Sequence, residues 1–239
     1  SLARRKMLPL VAGEEHVALI DRAPPQYLLF GGALALGAAA FWCEATPELQ
    51  PWPALVTWLA GIGFFLAGAR ELDVRRNIAA EEPWPAEEII ILVLITLFAF
   101  VVRAASLDRI PQNFGGDEGE MGAQARDVLT GLATNPFATG WLSHPFIWFF
   151  LQALSLEVFG NNVVGLRMLS ALLGTAAIPA LYMFARPLYG RAVASGAAIL
   201  LAAYHFHLHF SRLGVNNIAD PLLALLAVGA FFRGVRRRS

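Results

Sequence analysis

Long apolar runs separated by short charged segments dominate the chain. Six such runs fall at 27–42, 52–69, 89–102, 168–185, 192–211 and 221–232. A bilayer core takes about 20 helical residues, and fewer where the flanking side chains snorkel to the interface. The run at 89–102 needs a little of the flanking Ala104 and Ala105, and the last run must borrow residues on either side. Charges bracket the runs: Glu88 and Arg103, Arg167 and Arg186, Arg191 and Arg212. The predicted architecture is all-α and membrane-integral, with about six transmembrane helices.

A seventh apolar stretch, 145–159, is short enough to lie in the interface or to re-enter. Arginine and lysine concentrate on the cytoplasmic side of membrane proteins, so their placement arbitrates. If 145–159 does not cross, 13 of the 18 basic residues fall on the side of both chain ends. The five on the other side are Arg103, Arg109, Arg126, Arg167 and Arg212. If it crosses, the bias largely disappears. The interfacial reading therefore predicts cytoplasmic termini and a long outer loop at 106–164. Within that loop 117–132 reads as a surface helix, with Asp117 and Glu118 suited to its positive end. Met121, Ala125, Val128 and Leu132 follow at helical spacing. The expected organisation is a cytoplasmic segment at 1–26, two transmembrane helices within 27–87, and a main membrane domain at 88–239.

Composition sharpens this reading. Hydrophobic residues make up 57% and charged residues 15%, with zero formal net charge and a mean hydropathy of +0.56. Soluble domains carry about 25% charged residues, and the balanced charge removes any global field for nucleic acid. Cys43, the single cysteine, excludes an internal disulfide and suits a small buried apolar role. Arg4, Arg5 and Lys6 precede an apolar stretch that Glu14, Glu15 and His16 interrupt, so no cleavable signal peptide is expected.

Three polar groups converge on the outer side: Asp117 and Glu118 after Gly115 and Gly116; His144 before Pro145; and Arg212, Asn216, Asn217 and Asp220 before the last run. Ionisable groups at membrane depth point to function, yet each has a structural alternative. Asp117 suits a helix cap, Asp220 before Pro221 suits a helix start, His144 a turn, and Arg212 an interfacial anchor. His205 and His209 share a helix face, and a metal site there is the less favoured alternative to histidines at the wet end of a span.

From Asp117 to about Phe232 the sequence resembles the N-terminal part of GT-C fold membrane glycosyltransferases, the glycosyltransferase family 39-like group. The protein O-mannosyltransferases and the lipid A aminoarabinose transferase are the nearest in pattern. The carrying motifs are "GGDEGEMGAQARDVLTG" and the run from "LSHPFIWFF" through "EVFGNNVVGLRMLS" and "RPLYG" to "NNIADPLLALL". The resemblance implies a truncated GT-C-like domain at 88–239 that moves a sugar from a polyprenyl-phosphate donor to an outer-face acceptor. It implies Asp117 as general base, Glu118 in support and Asp220 in the same cavity. It implies His144, Arg212 and Asn216 as substrate-binding groups, the first two for the phosphate. It names no cofactor, and a divalent metal stays open. Members are longer, with further spans, and Glu120 falls where the aminoarabinose transferase has an arginine. The other readings are a noncatalytic transmembrane subunit of a larger respiratory or photosynthetic membrane complex and, less favoured, a transporter. The expected setting is the inner or plasma membrane, with the lipid bilayer as partner and no nucleic acid.

Overall fold

The computed structural model describes residues 24–45, 51–75 and 84–236. The N-terminal basic cluster, most of the acidic first connection, Arg76 and the tail arginines Arg237 and Arg238 lie outside these residues. Among the described residues the chain is helical, and its β-structure is a single isolated bridge between Thr139 and Pro145. The helices are α1 (Pro25–Ala45), α2 (Trp52–Arg75), α3 (Ala86–Ala104), α4 (Gly116–Leu129), α5 (Phe146–Phe159), α6 (Val163–Ala203), α7 (His205–Phe210) and α8 (Ala219–Arg236).

Two compact units result. In the first, α1 and α2 pack antiparallel: Gly32 faces Gly61 and Phe65, while Gly68 faces Leu28 and Leu29. A Cβ on Gly61 would lie 2.7 Å from the Leu36 side chain, so the small residue permits the close approach that membrane helices use for packing. Phe30, Phe41, Phe65 and Leu66 stay exposed on this pair. In water that surface would be costly; in lipid it is the expected exterior.

The second unit runs from Trp84 onward and contains the polar loops. α6 is not one rod. In a straight helix Gly174 and Ser211 would stand roughly 55 Å apart, at 1.5 Å per residue. Instead a Cβ on Gly174 would lie 2.1 Å from Ser211 Oγ. Ile178, Tyr182 and Ala185 also share one core with Ala194, Ala198 and Ala202. The chain therefore reverses at Gly190, whose φ of 80° and ψ of 169° suit glycine alone. Small residues on the returning arm let it pack closely, and Ala99 of α3 joins the same core.

Among the described residues four helices, α1, α2, α6 and α8 (the last counted from Asn216), are long and apolar enough to cross a membrane. With the helical character of the described residues, that is the pattern of a multi-pass membrane protein; the six-span count is finer than this measure. α3 has the length, but Glu87, Glu88 and Arg103 interrupt its apolarity. α5 has 14 residues, short of a full crossing. The surface helix predicted at 117–132 forms as α4 and stops earlier, at a turn where Gly131 takes φ of 75°.

Candidate active site

The last residues of a helix leave backbone carbonyls without intrahelical partners. At the end of α3 a distant arginine supplies the donors. Arg212, in the loop after α7, donates through its guanidinium to the carbonyls of Val102, Arg103, Ala105, Ser106 and Ile110. Its fork of planar donors fits this cluster as a single ammonium could not. Burial pushes the Arg212 guanidinium below its ordinary value, and the neighbouring charge of Arg167 adds to the effect.

Arg103 performs a similar task within the core. It is fully buried and donates to the carbonyls of Ala99, Leu201 and Ala202, to Ser211 Oγ, and to His207 Nδ1 at 3.1 Å. Leu201 and Ala202 lie where α6 gives way to α7, so Arg103 binds two helix ends together. Because His207 Nδ1 accepts, its imidazole is neutral with the proton on Nε2.

The third buried arginine, Arg167, forms a two-pronged pair with Glu118, at 2.7 Å from Nε to Oε1 and 2.8 Å from Nη2 to Oε2. Its remaining donors go to the carbonyls of Leu107, Pro111 and Asn113. Glu118 also accepts the Gly214 amide at 2.7 Å. One carboxylate thus ties α4 to α6 and to the loop after α7. A Cβ on Gly214 would lie 2.6 Å from the Leu166 side chain, so a larger residue there would have to displace it.

This frame supports an open cleft of about 870 Å³. Pro111, Gln112, Asn113, Gly115, Gly116 and Asp117 line one side; His209, Phe210, Leu213, Val215 and Asn217 line another, with Glu118 between. Asp117 is exposed here, unlike its buried neighbour. The helical turn explains the difference: successive residues on α4 point about 100° apart, so one carboxylate enters the frame and the other faces the cleft. Three buried guanidiniums accompany one buried carboxylate, so the frame has an excess of positive charge close to the cleft.

Residues 143–239 match a family model. The family is dolichyl-phosphate-mannose-protein mannosyltransferase. The match covers His144, Arg167, Arg212, Asn216 and Asp220, and bears out the GT-C-type glycosyltransferase resemblance over that segment. Asp117 and Glu118 precede the matched residues. Neither a curated protein nor a solved structure matches the chain.

The predicted site residues therefore divide. Asp117 faces the cleft. Glu118 and Arg212 are held in the frame beside it. His144 is half-buried, and its Nδ1 lies 3.2 Å from Asn216 Nδ2; the adjacent Val215 and Asn217 line the cleft. Asp220 is exposed at the start of α8 and is not among the cleft-lining side chains. The three clustered histidines part company: His205 is exposed, His207 turns inward to Arg103, and His209 lines the cleft. Among the described residues no three His, Cys, Asp or Glu side chains gather as a metal site. Sequence reading missed Arg103 and Arg167, which it treated as span-flanking charges. Their signal was present: each is a cation at the margin of a long apolar run.

Proposed function

We propose that this membrane glycosyltransferase-like protein transfers a sugar from a polyprenyl-phosphate donor to an acceptor hydroxyl at the outer face. The observation that carries the reading is the contrast between adjacent carboxylates. Glu118 spends both oxygens on Arg167 and Gly214, whereas Asp117 is exposed at the cleft. An exposed carboxylate can accept the proton of a hydroxyl as that oxygen attacks the sugar carbon and the phosphate leaves. Asp117 is the proposed base and Glu118 its supporting neighbour; Asp220, exposed three residues beyond cleft-lining Asn217, is the proposed third carboxylate.

The departing phosphate is anionic and is favoured by positive potential. Arg212 contributes charge to that potential, while its guanidinium donors hold the α3 end. His144 and Asn216 supply polar contacts at the neighbouring loop. The family match over 143–239 supports this reading, because that family uses a dolichyl-phosphate-linked mannose and a protein acceptor; here the donor is assigned only as a polyprenyl-phosphate sugar.

The proposed layout has six crossings, with α3 and the two arms of α6 each counted once. Residues 1–26 and the tail lie in the cytoplasm, 27–87 contain two added spans, and 88–239 belong to a GT-C-like domain. The inner or plasma membrane is the proposed location. Support comes from the arginine distribution and from the opposite ends of α3. Glu88 and Arg186 stand at one end, and the cleft frame stands at the other.

Asp117→Asn tests the reaction. Sugar transfer from a polyprenyl-phosphate sugar should fall by about 100-fold or more, with unchanged expression and thermal unfolding. Full transfer by the variant would remove Asp117 from the chemistry.

A further inference from the structure

The loop that delivers His144 is built at a conformational cost. Leu142 and Ser143, both non-glycine, take φ of 48° and 61°. Such left-handed conformations are uncommon and unfavourable for residues with a Cβ. The surrounding contacts hold them there. Gly140 N–H donates to the His144 carbonyl, His144 N–H to the Trp141 carbonyl, and Phe146 N–H to the Ala138 carbonyl. The Trp141 ring lies 5.8 Å from the imidazole. Across this loop the Asn216 side chain meets His144 Nδ1 at 3.2 Å.

An amide nitrogen of asparagine can only donate. An imidazole nitrogen facing it must therefore accept, and the ring's other nitrogen then carries the hydrogen. We infer that Asn216 is a positioning residue that fixes His144 in the Nε2–H tautomer, leaving the ring as a neutral hydrogen-bond donor for an anionic oxygen. The assignment deepens the glycosyl-transfer reading, since a departing phosphate is the oxygen that such a donor would serve. It also separates two neighbouring asparagines. Asn217 lines the cleft directly, whereas Asn216 acts through the histidine. The strained turn and the amide work together: the first sets where the ring stands, the second which nitrogen donates.

The test is nitrogen NMR of the full chain labelled with 15N-histidine, in detergent micelles or nanodiscs. The His144 resonances are identified by their loss in His144→Gln. Wild type should show His144 neutral with hydrogen on Nε2. Asn216→Asp presents only acceptor oxygens, so Nδ1 should gain a hydrogen, in the Nδ1–H tautomer or in the imidazolium that the new carboxylate favours; Asn216→Ala should give a mixture of tautomers. Wild type with hydrogen on Nδ1 overturns the inference without recourse to any variant, as does a tautomer that ignores both substitutions. In parallel, transfer from a polyprenyl-phosphate sugar should fall about tenfold in Asn216→Asp, with unchanged thermal unfolding. Spectra that behave as stated, with wild type and Asn216→Asp alike inactive toward the sugar donor, would sink the glycosyl-transfer reading and leave the tautomer assignment standing.

Discussion

The two polar ends of the second unit carry the same kind of interaction and put it to different use. At the Gly190 end Glu88 receives Arg186 in a two-pronged pair and the Tyr182 hydroxyl at 2.6 Å. Arg186 also lies over the Trp84 ring, 4.9 Å from its centroid, a favourable cation–aromatic contact. Charge there is matched locally, and the pair closes one end of α3 against α6. At the cleft end Glu118 and Arg167 form an equally direct pair, but with two more buried arginines beside them and an exposed Asp117 at the cleft. Local neutrality at one end and surplus positive charge at the other separate a closure from a candidate reaction site.

The greatest stability loss should come from separating the cleft-end pair. Glu118→Gln leaves Arg167 buried without its counter-charge, at a cost of about 3–5 kcal/mol. Thermal unfolding in detergent should register it, and an unchanged midpoint would show that the pair does not hold the frame. Arg212→Lys should cost about 2 kcal/mol, because one ammonium cannot serve five spread carbonyls. Faster amide exchange confined to the end of α3 would locate that loss; uniform exchange would contradict the capping role.

At the other end the expected effects are smaller. Gly190→Ala places a Cβ at φ of 80° and should cost about 1–2 kcal/mol, with weaker packing of the two α6 arms. Glu88→Gln should cost about 1 kcal/mol, since the Arg186 side chain keeps 25% of its exposure and solvent screens the pair. If Glu88→Gln proved more damaging than Glu118→Gln, the ranking of the two ends would be reversed.

Much of the fold was legible. The apolar runs at 27–42 and 52–69 became α1 and α2, and the Gly190 reversal falls between the runs at 168–185 and 192–211. The cleft was legible only in part. Asp117 and Glu118 are indistinguishable as neighbouring acids in the sequence, and the turn of α4 assigns them opposite surroundings. Arg212, read as a phosphate ligand or an interfacial anchor, is spent on the end of α3. The family match lends weight to the segment containing His144, Asn216 and Asp220, while the geometry at Asp117 comes from the folded chain.

The sequence by itself determined that this chain lives in a bilayer, because the transfer of apolar residues into lipid adds along each run and needs no knowledge of neighbours. Only the tertiary structure decided which charges hold the frame and which one meets the cleft. Arg167 finds Glu118 from 49 residues away, and Arg212 reaches Val102 from 110. A buried charge is tolerable only beside specific donors or acceptors, and folding alone brings such distant partners together.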